Sequence, residues 1–163
     1  MVGEHTVPGV TRGQVGHLLD RSAVRAVVIY ESLTGNTAKA AMIIAAEMSR
    51  AGIPTTPCPI TRIDYQALAE ADLVIVGTWT DGIIFFGQRP GRAARIRKLP
   101  VIRGKRCAAY ITYAVDAGKT LDKLTAILEE RGADVLGAMA IKRTRLEEGA
   151  KDFVDRVLDV VSA

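Results

Sequence analysis

Five short apolar runs, at residues 24–30, 53–60, 73–77, 106–112 and 134–141, alternate along the chain with segments of helical periodicity. Runs this short and this continuously apolar suit strands buried on both faces, and the intervening segments suit crossover helices, so the pattern predicts a parallel α/β sheet. The helices are expected at about 36–51, 65–71, 90–98, 119–131 and 146–161. Within the first, Ala41, Ile44, Ala45 and Met48 form one apolar stripe, and Gly52 follows where a left-handed cap is wanted. In the fourth, Leu121, Leu124, Ile127 and Leu128 face inward ahead of Gly132. In the last, Phe153, Val154, Val157, Leu158 and Val161 do the same. The second run carries Pro54, Pro57 and Pro59, which cannot donate to a ladder and so belong on an edge strand. An edge position for strand two fits the doubly wound order 2-1-3-4-5.

The first strand ends in Ser32-Leu33-Thr34-Gly35-Asn36-Thr37, small and hydroxyl-bearing residues that open a helix. Gly35 permits a turn in which successive backbone N–H groups share a concavity. Those groups are also the unpaired donors of the helix's first turn, where the macrodipole favours an anion. Ser and Thr cap helices as well, yet three hydroxyls around one Gly-Asn exceed what a cap requires. The expected ligand is a phosphate held without a basic side chain.

The same segment resembles the phosphate loop of flavodoxins, whose usual form is Ser or Thr, any residue, then Thr-Gly-Asn-Thr. The resemblance implies a flavodoxin-like three-layer sandwich with a five-stranded parallel sheet in the order 2-1-3-4-5, and it implies FMN as the cofactor. It covers about residues 24–162, and the uninterrupted fifth strand resembles the short-chain subclass. Residues 23–163 are thus read as one domain. Residues 1–22, with glycines at 3, 9, 13 and 16 and no sustained periodicity, are read as a flexible extension. Neither GxGxxG after a strand nor GxxxxGK[ST] occurs, and Thr78 stands where a response regulator would need an acidic residue.

Ligands of open α/β sheets lie beyond the carboxyl ends of the strands where strand order reverses. Beside the phosphate loop, two further loops are expected there. One is Thr78, Trp79, Thr80, Asp81 and Gly82; the other begins at Tyr113 and Ala114. Trp79, the only tryptophan, could stack on a planar ring or simply close the end of the sheet. By analogy with the aromatic that flavodoxins place after the third strand, the resemblance implies flavin stacking. Tyr113 could cover the opposite face or the sheet end. Its loop departs from the usual Gly-Asp pair followed by a later Tyr. Phe85 and Phe86 offer another cover or a contact surface. Backbone near Asp81 and Gly82 could hydrogen-bond flavin N5.

Composition removes several classes. The two histidines, His5 and His17, both precede the domain, so Ser-His chemistry has no base in it. Cys58 and Cys107 fall in non-neighbouring strands without a metal-ligand spacing, which predicts buried, inert thiols. No apolar run approaches a membrane span and no uninterrupted apolar leader opens the chain, so a cytoplasmic address is expected. The net charge of +4 comes largely from a cluster between the third and fourth strands that includes Arg89, Arg92, Arg95, Arg97 and Lys98. Without interleaved aromatics it reads as a solvated face rather than a nucleic-acid site, and a docking face for an acidic partner stays open.

The expected function is an FMN-binding electron carrier working between a reductase and a redox acceptor. Two alternatives stand beside it: a flavin-dependent NAD(P)H or quinone oxidoreductase, and a flavodoxin-like binding module without flavin. Asp81 and Asp116 are the only outer-loop carboxylates that could serve the enzyme reading.

Overall fold

The structure, a computed structural model, describes residues 24–82, 87–100 and 102–163. The extension expected at 1–22 and the Phe85–Phe86 pair lie outside the described residues. In chain order the elements are β1 (Ala26–Tyr30), α1 (Asn36–Arg50), β2 (Thr55–Pro59), a 3-10 turn (Ile60–Arg62), α2 (Tyr65–Glu70), β3 (Leu73–Asp81), β4 (Arg89–Pro90), α3 (Ala93–Ile96), β5 (Arg106–Tyr113), α4 (Thr120–Glu130), β6 (Asp134–Lys142), a second 3-10 turn (Arg143–Arg145) and α5 (Leu146–Ser162).

Five strands pair in parallel in the order β2-β1-β3-β5-β6, with β4 set off against β3. Counting only the parallel strands, this is the expected order 2-1-3-4-5. β2 lies at the edge, where Pro57 sits opposite Val28 and Pro59 opposite Tyr30. Strand alternation divides the core in two. Val28 and Ile75 face α1 and α5, packing on Ile44, Met48 and Phe153. Val27, Ile29 and Val76 face the other layer, packing on Leu68, Ile96, Leu124 and Leu128. Three layers result. Asp64 begins α2 as expected, accepting the Ala67 N–H at 2.9 Å.

Cys58 and Cys107 are buried free thiols on β2 and β5, with β1 and β3 between them. Burial, reinforced by the Asp134 carboxylate, pushes the Cys107 thiol up to about 12, and burial also raises that of Cys58.

The expectation fails after the third strand. A strand ending at residue 77 followed by a loop at 78–82 was expected, but β3 continues through Asp81. Thr80 and Asp81 pair antiparallel with Pro90 and Arg89, and Gly91 N–H donates to the Trp79 carbonyl at 2.7 Å. The β-branched and aromatic side chains of Thr78, Trp79 and Thr80 favour extended backbone, and the returning chain supplies the missing ladder partners. Pro90 is therefore a strand residue instead of a first helical turn. The helix expected at 90–98 shrinks to Ala93–Ile96, because Arg92 ahead of it is left-handed at φ 47°, ψ 44°.

Gly77 and Tyr110 are cross-strand partners, and the tyrosine ring fills the space where a Cβ at Gly77 would stand. The buried Tyr110 hydroxyl donates to the Thr37 carbonyl at 2.9 Å. A small residue on β3 thus lets an aromatic of β5 reach the first turn of α1 and hold it.

Candidate functional site

The loop between β1 and α1 turns through Gly35, whose φ of 95° puts it in the left-handed region that glycine adopts without strain. Ser32 Oγ accepts the Ala38 N–H at 3.2 Å, so this serine does cap the helix. Thr34 Oγ1 accepts from Asn36 Nδ2 at 3.3 Å, and Thr37 Oγ1 shares a buried 2.8 Å hydrogen bond with Thr112 Oγ1. Ser32 and Thr34 act here as acceptors and keep their O–H donors, and the loop backbone is unspent as well. Among the described residues no acceptor is found for the N–H groups of Thr34, Gly35, Asn36 and Thr37. Unpaired first-turn donors of this kind carry the positive end of the helix dipole.

These donors border a cleft of about 140 Å³ whose lining combines Leu33, Thr34, Asn36 and Thr37 with Trp79, Thr80, Thr112, Tyr113, Ala114 and Arg143. It lies beyond the carboxyl ends of β1, β3, β5 and β6, where the crossover direction reverses. A slightly larger cavity, about 180 Å³, lies between β6 and α5, but its walls are Leu136, Met139, Phe153, Val157 and Val160, with Arg156 as the one charged group. The chemistry belongs to the smaller, polar cleft.

Trp79 packs its indole against Gly91 and carries the Arg92 guanidinium 5.8 Å from the ring centroid, while it also lines the cleft. It is at once a packing residue and an available aromatic surface. Thr80 Oγ1 is buried with no hydrogen-bond partner among the described residues. An orphaned hydroxyl in a cleft wall lacks the partner a ligand could supply, since leaving such a group unpaired costs about 1–3 kcal/mol.

Of the residues expected to gather here, Leu33, Thr34, Asn36, Thr37, Trp79, Thr80, Tyr113 and Ala114 line the cleft. Ser32 and Gly35 complete the loop beside it. Thr78, Asp81 and Gly82 lie outside the lining, although Trp79 and Thr80 of the same strand belong to it. The buried Thr78 hydroxyl donates to the Gly91 carbonyl at 2.8 Å, and Asp81 meets Arg89 at 3.5 Å. Gly82 turns the hairpin against the Gly87 carbonyl. Asp116 accepts the Gly118 N–H at 3.2 Å and is likewise absent from the lining. Thr112 and Arg143 were not anticipated. Each ends or directly follows a parallel strand, the signal that would have found them. Arg143 places one basic side chain in the lining of the cleft.

The sequence profile of the flavodoxin domain family matches residues 27–154. This chain belongs to that family. Solved structures agree on the fold. Flavodoxin 1 from Bacillus cereus superposes with a TM-score of 0.64 at 22% identity, covering 84% of this chain and 97% of that one. The two-electron reduced flavodoxin of Megasphaera elsdenii gives 0.64 at 19% identity, covering 80% and 98%. The rubredoxin oxygen:oxidoreductase of Desulfovibrio gigas gives 0.57 at 19% identity over 85% of this chain, which spans 37% of that longer protein. A search of curated proteins found no match. Among the described residues, this flavodoxin domain has no helix long and apolar enough to cross a membrane and no cluster of three potential metal ligands.

Proposed function

We propose that the cleft binds FMN and that the protein is an electron carrier between a reductase and an acceptor. The observation that carries the reading is that Thr34, Asn36 and Thr37, whose backbone N–H groups have no acceptor among the described residues, line the same cleft as Trp79 and as Thr80 with its orphaned hydroxyl. The N–H groups of 34–37 would hold the phosphate, with Arg143 adding one positive charge at the rim. Trp79 and Tyr113 offer flat apolar surface to a ring, and Thr80 offers a hydrogen bond to its polar edge. When bound, FMN supplies the one- and two-electron chemistry that no side chain of the cleft possesses. The protein's part is to bind, orient and exclude water.

Among the described cleft residues there is no carboxylate, histidine or cysteine. Titrating the protein into FMN tests the reading: flavin fluorescence should be quenched with saturation. The Gly35→Val, Asn36→Ala double variant should bind at least a hundredfold more weakly. Undiminished affinity in that variant would refute the phosphate loop, and a protein that never quenches FMN would establish a flavin-free module. NADPH oxidation by the purified protein alone would replace the carrier with a reductase.

A further inference from the structure

Glu31 follows β1 and continues its ladder, donating its N–H to the Gly77 carbonyl at 2.9 Å. Its side chain is only 3% exposed, yet it is charged and doubly paired: Arg92 reaches it at 2.6 Å and Arg95 at 3.2 Å. Both arginines remain open to solvent, at 42% and 48% side-chain exposure. One carboxylate against two guanidinium groups leaves a surplus positive charge. Each guanidinium has five N–H donors in a planar fork, so pairing with Glu31 leaves several of them outward-facing. Glu31 in effect fixes the rotamers of two long side chains beforehand, removing an ordering cost that binding would otherwise incur. The backbone of Arg92 is committed too, held in a left-handed conformation that non-glycine residues seldom adopt.

These arginines border two adjoining grooves. The first runs past Tyr30, Glu31 and Ser32 at the ends of β1 and β2. The second, about 320 Å³, shares Ile60, Thr61 and Arg95 with the first and adds Lys98, Tyr65 and the apolar Ile63 and Leu99. Tyr65 is 66% exposed, a large aromatic left in water beside an apolar floor. Arg92 joins this surface to the cleft, since its guanidinium also lies over Trp79.

We propose that this double groove is the docking face for an acidic protein partner. Partner carboxylates would meet the outward donors of Arg92 and Arg95 and the ammonium of Lys98, and a partner apolar side chain would pack on Tyr65. Such a surface has the anatomy of an interface hot spot, with arginines and a tyrosine around an apolar centre. A polyphosphate backbone fits less well, because the buried Glu31 carboxylate lies at the middle of the arginines and the floor is apolar. The partner is a redox protein in so far as the electron-carrier reading holds, and its approach here would place it beside the flavin cleft.

The test uses the full chain labelled with 15N, with and without FMN, titrated with a decapeptide of glutamates around one tryptophan. Amide resonances of 60–65 and 92–98 should shift, while the peptide with glutamine in place of glutamate should leave them still. Affinity should fall about tenfold between 10 and 150 mM salt, as the screening length contracts from about 30 to about 8 Å. Lys98→Glu should weaken binding at least tenfold and Tyr65→Ala about threefold, both with FMN titration unchanged. Both residues are exposed and neither lines the cleft. Shifts centred on Lys119, Arg143 and Arg145, equal binding of the glutamine peptide, an indifferent Lys98→Glu variant, or tighter binding of a ten-residue oligothymidylate would each overturn the proposal. A chain that binds the peptide but never FMN would defeat the flavin reading and leave the docking face standing.

Discussion

Gly91→Ala puts the smallest possible side chain where the structure has no room for one. Its Cβ would fall 2.2, 2.3 and 2.5 Å from Cε2, Cδ2 and Cζ2 of Trp79, against 3.4–4 Å for ordinary contact. The indole must therefore retreat by about 1 Å. The backbone cannot easily yield instead, since Gly91 N–H is bonded to the Trp79 carbonyl at 2.7 Å and the Gly91 carbonyl to the Thr78 hydroxyl at 2.8 Å. Moving the ring means pushing it into a cleft of only about 140 Å³ or opening the β3–β4 hairpin. Overpacking of this kind costs about 1–3 kcal/mol of stability. The same displacement, felt by a ring-stacking ligand at about 1.4 kcal/mol per decade, weakens FMN binding roughly tenfold to a hundredfold. Urea unfolding followed by circular dichroism reads the first effect, and flavin fluorescence the second. Trp79→Ala removes the obstacle, so the double variant should cost about 1–2 kcal/mol less than the sum of the singles. An additive cycle, or a Gly91→Ala protein as stable as the parent with its tryptophan emission unmoved, would refute the reasoning.

Thr80→Val should separate folding from binding: removal of a buried, unpartnered hydroxyl leaves the ligand-free protein as stable or about 1 kcal/mol more so, while FMN affinity drops about five- to tenfold. Loss of stability without loss of affinity in paired urea and FMN titrations would show that the hydroxyl serves the fold alone. Alkaline pH should destabilise the protein in a defined window. Burial raises the Cys107 thiol from an ordinary 9.0 to about 12 and lifts Cys58 and Tyr110 as well, so the folded state keeps protons that the unfolded state has released. The stabilising contribution is whole below about pH 9 and is lost as pH rises toward 12. Urea midpoints between pH 7 and 11 should decline from about 9 upward, less steeply in Cys107→Ala; an identical slope in that variant would exclude the thiol as a cause.

Much of this protein is legible in its sequence, wherever the cause is local. Apolar runs of strand length, stripes such as Ala41, Ile44, Ala45 and Met48, and the prolines of β2 each declare their surroundings through neighbours a few positions away. The phosphate-type loop is legible for the same reason, being one turn between one strand and one helix. Propensity alone could not say whether Thr78, Trp79 and Thr80 form a loop or a strand, because the ladder partners that decide it return ten residues later through Arg89 and Pro90. Glu31 gave no sign of its role until folding brought in Arg92 and Arg95, 61 and 64 positions away. Tyr110 became the support of Thr37 across 73 positions only because Gly77 leaves its ring a place to lie. Periodicity reports which way a side chain faces. Which distant groups meet it there is settled by the closing of the sheet, and that closing made the cleft, the paired arginines and the orphaned hydroxyl of Thr80.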